Sequence, residues 1–377
     1  MKVIHLPTTV GGNPQGISRH LRELGVESET WAVSQNYFGY PADKVLTNEK
    51  DGLVKKELYK LFALRYVFKC DIAFFNFGSG LYTPYYAINV LTKLGVKMIL
   101  AYLYRAYSGL LSKIEVGLLK ALRKPIFIQY QGDDARQGDY CLANCSVTFA
   151  GRVGPGYYSR ASDEAKRKRI AYYASVATKI YALNPDLLHV LPKSAEFLPY
   201  SHISLDDWSP IYTQMEDRPL RIGHAPSHRG VKGTELIIDA AEKLRQAGYD
   251  FEFVLVEGLS NAEAKEVYKT IDVLIDQLFA GWYGGLAVEA MALGKPVIAY
   301  IRHDDLQFIP AKMRDDLPII QAEPESIYKV LGQVLSMPRY DLLDLAKRSR
   351  AYVEHWHDPK AIAQRIKTDM EIALEQK

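Results

Sequence analysis

The chain has 377 residues, of which 48% are hydrophobic and 24% charged, and its formal net charge is +3. This length exceeds the size at which one hydrophobic core usually stops growing, so we expect two domains. The composition excludes a disordered or fibrous protein, and the small net charge, without a nucleic-acid-binding motif, argues against a nucleic-acid partner.

Three features of the sequence bear on the cellular compartment of the protein. The opening MKVIHLPTT lacks the apolar core and cleavage site of a signal peptide. The apolar stretches at 103–122 and 271–278 are interrupted by charged residues, which argues against an integral membrane protein. Three cysteines, an odd and small number, fit a reducing environment. We expect a cytoplasmic protein.

Short aliphatic and β-branched runs alternate with segments of helical periodicity, which predicts parallel sheets covered by helices. In the first half the predicted strands are 3–6, 29–33, 72–76, 98–102, 126–129 and 179–183. In the second half they are 220–223, 251–256, 273–275, 297–301 and 318–320. The fold class is therefore α/β, with two Rossmann-like, doubly wound domains.

The boundary between the domains is predicted from proline content. The stretch 184–218 contains several prolines and ends in polar residues, so we interpret it as a linker between a domain at 1–205 and one at 206–358. The tail at 359–377 is helical and charged. It carries Ile362, Ile366, Met370 and Ile372 as a buried stripe, and could pack back on the first domain or on the second.

Glycines follow the first predicted strand. Gly11 and Gly12 precede a helix that carries Ile17 and Leu21, but the spacing is not GxGxxG, which argues against a dinucleotide-binding dehydrogenase. Asn76 and Gly78 follow the third strand. Both pairs are expected at the carboxyl edge of the sheet, where an acceptor groove or ordinary turns would lie.

A polar cluster follows the strand IFIQYQ. It contains Gln131, Asp134 and Arg136, which are candidates for contacting an acceptor. Gln131 forms hydrogen bonds but does not titrate, so it is not a proton relay. Asp134 and Arg136 are equally compatible with a structural salt bridge and a helix cap. Further on, residues 160–173 combine basic and aromatic side chains, which suits a phosphorylated lipid, peripheral contact with a membrane, or a solvated helix face.

The first strand of the second half leads into the loop HAPSHRGVKGT. Here His224, Arg229 and Lys232 precede a helix that opens at Thr234, so cations and helix amides converge at one sheet edge. Arg229 and Lys232 are candidate catalytic residues because they would stabilise a leaving diphosphate; a solvated charged loop is the alternative. Zinc binding by His224 and His228 is disfavoured by the intervening Pro226.

The segment 273–300, VLIDQLFAGWYGGLAVEAMALGKPVIAY, is the most informative. Gly281, Gly284 and Gly285 allow close approach of a ligand to the backbone, and the amides from Gly285 and Leu286 would begin a helix. A diphosphate suits that helix N-terminus. Glu289, one turn inside, suits the two hydroxyls of a ribose.

The run GLAVEAMALGKPVI, residues 285–298, resembles the GLxxEAMAxGxPVI signature of group 1, family-4-type glycosyltransferases. The resemblance implies a GT-B fold, with the two domains facing a central cleft that closes over the donor. It assigns Glu289 to the donor ribose, Lys232 and Gly233 to the phosphates, and Gly11 and Gly12 to the donor phosphate side of the acceptor domain.

One position departs from the family pattern. A second glutamate, eight residues before the ribose-binding one, contacts the sugar in that family, and this chain has Gly281 there. Trp282 and Tyr283 are candidates for orienting the sugar instead. The missing glutamate also suggests an alternative function, in which this chain is a partner subunit that binds a nucleotide without catalysis.

The resemblance implies transfer of a sugar from a UDP- or GDP-linked donor to a hydroxyl acceptor, with retention at the anomeric carbon, in the synthesis of a polysaccharide, glycolipid or glycosylated metabolite. The nucleotide sugar is a co-substrate, and neither a resident cofactor nor a metal is predicted. A nucleotide-sugar 2-epimerase, which shares the fold and the donor pocket, is the alternative enzyme.

Overall fold

The computed structural model describes residues 1–35, 39–85, 95–154, 156–212 and 218–376. The chain divides into two compact units. The first comprises Met1–Cys141, Pro155–His202 and Pro359–Lys377, and the second comprises Leu142–Gly154 and Ile203–Asp358.

The first unit is built on a parallel sheet of seven strands in the order β3-β2-β1-β4-β5-β6-β7. Its strands are β1 (Lys2–Leu6), β2 (Glu27–Ser34), β3 (Lys44–Thr47), β4 (Ile72–Asn76), β5 (Ile126–Tyr130), β6 (Lys179–Ala182) and β7 (Ala195–Phe197). Its helices are α1 (Asn13–Glu23), α2 (Leu53–Ala63), α3 (Val96–Ala121), α4 (Gly138–Asn144, whose last three residues group with the second unit), α5 (Arg160–Ala174) and, at the end of the chain, α13 (Pro359–Glu375).

The second unit contains a parallel sheet of five strands in the order β12-β11-β10-β8-β9. These strands are β8 (Leu220–His224), β9 (Phe251–Leu255), β10 (Val273–Ile275), β11 (Val297–Ala299) and β12 (Ile320–Gln321). Its helices are α6 (Arg229–Lys232), α7 (Thr234–Gln246), α8 (Asn261–Thr270), α9 (Gly285–Ala292), α10 (Ala311–Asp315), α11 (Ile327–Leu335) and α12 (Arg339–Trp356). The predicted α/β class with two Rossmann-like sheets is confirmed.

Two apolar layers cover the first sheet because its strands alternate side chains between faces. Ile4, Phe75 and Ile128 belong to one buried cluster, while Val3 and Phe127 belong to the other. Helix α13 completes the second cluster by packing against α1. Its residues Ile362, Ile366 and Met370 are buried as expected, whereas Ile372 is 47% exposed and does not belong to the stripe.

The predicted strand at 98–102 is wrong, because these residues lie inside the 26-residue helix α3. Strands β3 and β7 were not predicted. The first part of the predicted linker is folded: Pro185–His189 form a 3-10 turn, and β7 pairs with β6 at the sheet edge.

Candidate functional site

The order of the second sheet reverses between β8 and β10, which are neighbours. In open parallel sheets, ligands bind outside the carboxyl ends of the strands at such a switch point, because the two following connections diverge there. The loop after β8 carries Lys232, and the loop after β10 carries the glycine-rich turn. The switch point therefore collects both motifs that the sequence singled out.

His224 ties the ends of these two strands together. Its Nδ1 lies 2.8 Å from the carbonyl oxygen of Ile275, and its Nε2 lies 2.9 Å from the hydroxyl of Thr234. Burial lowers the pKa of His224 to about 4, so the neutral ring donates from Nδ1 and accepts at Nε2. Both nitrogens are engaged inside the unit, so the ring is held in one orientation, and its predicted contact with a donor stays a prediction.

Asp276, the residue after β10, joins the two loops. Its Oδ1 lies 2.5 Å from the ammonium of Lys232, and its Oδ2 accepts a hydrogen bond of 2.7 Å from the backbone N–H of Gly284. Asp276 is fully buried, and the side chain of Lys232 is 9% exposed. The carboxylate thus holds the cation beside the first residues of α9.

Sequence reasoning missed Asp276. The signal was available, because an acidic residue directly after a buried strand is expected at the ligand edge of a parallel sheet. Glu289 lies in the second turn of α9 and is 6% exposed. Gly284 stands at the N-cap, so the amides of Gly285 and Leu286 occupy the first turn, where the helix itself supplies no acceptor.

Position 281 requires glycine because of its backbone conformation and its close neighbours. Its φ is +80°, and a Cβ on it would lie 2.7 Å from the guanidinium carbon of Arg302. Arg302 donates from its backbone N–H to the carbonyl of Gly281 at 2.8 Å, and its guanidinium donates to Asp305 and to the carbonyl of Val147. Where the resembled family has a carboxylate, this chain places an arginine from the loop after β11.

Trp282 and Tyr283 belong to the core of the second unit. They are 1% and 0% exposed, and their rings stack with centroids 4.3 Å apart. The hydroxyl of Tyr283 forms hydrogen bonds with Tyr352 and with Nε2 of His357, at 3.0 and 2.8 Å. The Tyr283 hydroxyl is thus engaged in a buried network, and the role of Trp282 or Tyr283 in orienting a sugar stays a prediction.

Arg229 begins α6, one turn before Lys232. Its guanidinium pairs with Glu257 at 2.7 Å and with Glu235 at 2.8 Å, and both carboxylates raise the pKa of the arginine above its usual value. The side chain is 46% exposed. Two carboxylates already compensate its charge, whereas Lys232 shares its charge with one.

The first sheet has its own switch point, between β1 and β4. The acceptor candidates lie along this carboxyl edge. Oε1 of Gln131 is 3.7 Å from the position of a Cβ on Gly11, and Oδ2 of Asp134 is 3.4 Å from that of a Cβ on Gly78. The structure therefore brings together candidates from the loops after β1, β4 and β5.

Gly78 and Gly12 are confined by neighbours. Gly78 has a φ of +55°, and a Cβ there would lie 2.4 Å from the ring of Tyr130. Gly12 caps α1, and a Cβ on it would lie 3.0 Å from the ring of Tyr40. These contacts explain glycine at both positions through packing.

Asp134 and Arg136 do not form the predicted salt bridge with each other. Asp134 accepts hydrogen bonds from the N–H groups of Gln131 and Gly132, and burial raises its pKa to about 6. Arg136 pairs with Asp186 at 2.7 Å and with Asp133 at 3.3 Å. Asp134 therefore caps a turn and Arg136 forms structural ion pairs with other carboxylates.

Several buried polar atoms at this edge have no hydrogen-bond partner among the described residues. They are both ring nitrogens of His5, Oδ1 of Asn76, Nε2 of Gln129 and Oγ of Ser201. Strand alternation places His5, Asn76 and Gln129 on the same face of the sheet, since His5 pairs with Phe74, and Asn76 with Gln129. Asn76 thus lies in a polar, buried group.

The basic residues of α5 are held within the first unit. The ammonium of Lys166 donates to the carbonyl of Arg136 at 2.6 Å, and Arg169 donates to the carbonyl of Asp134 at 2.7 Å. Arg167 pairs with Asp139. This helix therefore positions the loop after β5 through Lys166 and Arg169, while Arg167 stays 44% exposed in its ion pair.

Two solved structures with low sequence identity illustrate this architecture. Sucrose-phosphate synthase from Thermosynechococcus elongatus is 14% identical, with 100% of both chains covered and a TM-score of 0.61. HepE from Anabaena, in complex with UDP-glucose, is 11% identical over 98% of both chains, with a TM-score of 0.58. The chain has the GT-B fold.

A GT-B epimerase is also similar. UDP-GlcNAc 2-epimerase from Neisseria meningitidis, bound to UDP-GlcNAc, is 11% identical over 98% of this chain and 99% of that one, with a TM-score of 0.51. No protein-family model matches the chain, and no curated protein matches it. At these identities the similarity establishes the GT-B fold, and function has to be argued from the site.

Proposed function

We propose that this GT-B protein is a glycosyltransferase that binds a nucleotide-diphosphate sugar in the second unit and transfers the sugar to a hydroxyl acceptor. The observation that carries the proposal is the joining of Lys232, Asp276 and the N-terminus of α9 at the switch point of the second sheet. This arrangement supplies a cation and helix amides to an anion.

Each residue has a chemical task in this proposal. The acceptor oxygen bonds to the anomeric carbon and passes its proton to the departing diphosphate oxygen, while the bond from that carbon to the same oxygen breaks. Negative charge then grows on the diphosphate, and Lys232 with the amides of Gly285 and Leu286 stabilises it. Glu289 accepts hydrogen bonds from the ribose hydroxyls.

The acceptor is proposed to bind near the carboxyl edge of the first sheet, where Gly11, Asn76 and Gln131 lie. A UDP-linked donor is favoured, because HepE is solved with UDP-glucose and the similar epimerase with UDP-GlcNAc. Retention at the anomeric carbon follows from the resemblance of 285–298 to the family signature. Metal-independent turnover follows from Lys232 and the amides of Gly285 and Leu286, which take the place of a metal. Loss of turnover on chelation, restored by magnesium, would contradict it.

Thermal shift with UDP, GDP and UDP-glucose tests donor binding. We expect UDP-linked ligands to raise the melting temperature, because a ligand that binds only the folded state stabilises it. Glu289→Ala should weaken nucleotide affinity by roughly tenfold or more, as expected for losing hydrogen bonds to a charged group. Glu266→Ala, which removes an exposed carboxylate on α8, is the matched control.

The epimerase remains the second candidate because of the similarity to UDP-GlcNAc 2-epimerase. Incubation with the nucleotide sugar alone separates the two reactions. An epimerase converts the donor to its 2-epimer without an acceptor, whereas a transferase leaves the sugar configuration of the donor unchanged. Binding of a nucleotide with neither reaction, across acceptors and donors, would point to a partner subunit.

A further inference from the structure

The outer face of the first unit carries most of the exposed apolar side chains of the described chain. Fifteen of the 24 large apolar side chains that are exposed in the described ranges lie in α2, the turn after it, or α3 and its end. They include Phe62 at 63%, Val96 at 71%, Leu103 at 61% and Leu110 at 60% exposure. We call residues 53–69 and 95–124 the α2–α3 surface.

These side chains form stripes. On α3, Val96, Ile99, Leu103, Leu110 and Ile114 follow helical spacing and are all exposed, while Ser112 and Leu119 on another side of the helix are buried. On α2, Val54, Leu58, Leu61 and Phe62 repeat the pattern. Each helix therefore presents an apolar stripe to the outside as well as a buried side to the unit.

The two stripes belong to neighbouring helices. The hydroxyl of Tyr104 on α3 donates to Glu57 on α2 at 3.2 Å, and both helices pack against the 3-10 turn Leu64–Phe68. Within the same surface, the guanidinium of Arg65 lies 3.6 Å from the ring centroid of Phe62. Contiguous exposed apolar area of this kind marks an interaction surface.

The net charge of the α2–α3 surface indicates what kind of partner it binds. Residues 53–69 and 95–124 contain eleven lysine and arginine residues and two glutamates, a net charge of +9 in a chain whose total is +3. The rest of the chain is therefore net negative. Of the eleven cations, Lys60 is buried beside Glu57, and Lys55 and Lys124 pair with Asp51 and Asp71 just outside the two ranges. One of the two glutamates, Glu115, is buried and accepts hydrogen bonds from Tyr66 and from the N–H groups of Leu81 and Tyr82.

Lysine-rich apolar helices suit a lipid surface better than a protein. Protein interfaces are depleted of lysine at their centres. Helices that lie in the plane of a bilayer combine an apolar face with lysine and arginine, which attract anionic headgroups. No helix in the described ranges is long and apolar enough to cross a membrane, so α3 would lie on the bilayer.

A groove beside α3 adds a site for a headgroup. It has a volume of about 450 Å³ and is lined by Arg105, Lys113, Leu110, Tyr102, Tyr85 and Tyr172 among others. Two cations with tyrosines and a leucine match a phosphate that carries an acyl chain. From the stripes, the charge and the groove, we propose that the α2–α3 surface docks the protein on an anionic lipid bilayer.

Co-sedimentation with vesicles tests this inference, which does not depend on the proposed transferase activity. The full chain should bind phosphatidylglycerol/phosphatidylcholine vesicles, bind pure phosphatidylcholine vesicles much less, and be released by salt. Lys113→Glu with Lys120→Glu should weaken binding at least roughly 20-fold, since each lysine near an anionic surface contributes about fivefold. Lys329→Glu with Lys347→Glu, an equal charge change in the second unit, should leave it unchanged.

The apolar stripe is tested separately. Phe62→Glu with Leu103→Glu replaces exposed side chains, so the fold and its melting temperature should be kept while vesicle binding is lost. Leu259→Glu with Tyr340→Glu, at exposed positions of the second unit, is the control. Two results overturn the proposal. One is equal vesicle binding by all these variants. The other is a chain that does not bind vesicles and instead forms a dimer that Leu103→Glu separates.

Discussion

The buried histidines near the two switch points differ in their hydrogen bonding. The buried His224 is the last residue of β8, and the buried His5 is the next-to-last residue of β1; both strands border their switch points. In the second unit both ring nitrogens have partners, and Asp276 satisfies Lys232 and an amide of α9. In the first unit, the nitrogens of His5 have none among the described residues.

This difference separates a preorganised site from one whose polar groups still need partners. A fully satisfied buried network fixes its members in one geometry, which suits the binding of one constant chemical group such as a diphosphate. Unsatisfied buried atoms cost free energy unless water or a ligand bonds them. The contrast yields four predictions.

The largest effect is expected at Lys232. Lys232→Ala should lower sugar transfer roughly 10²- to 10³-fold, the usual loss when one preorganised charge-stabilising group is removed. It should also destabilise the second unit by about 3–5 kcal/mol, because Asp276 is left buried without its counter-ion. Steady-state kinetics and urea denaturation measure the two effects. Adding Asp276→Asn to this variant should recover stability and not turnover, so recovery of both would contradict the role of Lys232.

The next effect is pH dependence from His224. Burial lowers its pKa from the ordinary value of 6.5 to about 4 in the folded state, so the unfolded chain binds the additional proton between these pH values. Stability from this group is complete above pH 6.5 and falls by roughly 3 kcal/mol as the pH drops to 4. His224→Gln should remove that part of the slope in denaturation curves. The exposed His303→Gln should keep it, and equal slopes in both variants would refute the assignment.

Replacing each histidine by phenylalanine compares the two units directly. His224→Phe should cost about 1–3 kcal/mol, since the carbonyl of Ile275 and the hydroxyl of Thr234 lose their partner. His5→Phe should be neutral or stabilising, because His5 already stacks on Phe74 with centroids 4.7 Å apart and gives up no described hydrogen bond. Denaturation at pH 7.5 measures both. A similar loss from His5→Phe would show that its nitrogens are satisfied by ordered water.

The smallest effect concerns the family position at Gly281. Gly281→Glu should not raise turnover, and should destabilise by roughly 1–3 kcal/mol because of the positive φ and the adjacent guanidinium of Arg302. Gly258→Glu, at a φ of +72° with open space around it, isolates the backbone cost and should lose less. A gain of activity in Gly281→Glu would contradict this expectation.

In the second unit the sequence predicted the helix that follows the glycine-rich turn, because that element is encoded locally. Residues 285–298 contain a helix start, a glutamate one turn later and a glycine stop, and the structure has α9 at Gly285–Ala292. The cation at Lys232 is likewise next to its own helix. What escaped prediction are contacts between loops far apart in sequence, such as Asp276 with Lys232 and Arg302 with Gly281.

The first unit was less predictable for a different reason. The run at 98–102 is apolar and short, so periodicity alone does not distinguish a buried strand from part of a helix. The assumption that apolar residues are buried then favoured a strand. In α3 that assumption fails, because Ile99, Leu100 and Leu103 are 57–61% exposed.

Helix α13 has a practical consequence. It follows α12, which belongs to the second unit, yet its apolar side lies in the cluster formed by α1 and the first sheet. A fragment that stops at His202 would therefore expose Ile17, Leu21 and Phe74 to water. Expression of the first unit by itself should need residues 359–377 supplied in trans or fused after a short linker, and the two halves of this protein are not separable by a single cut.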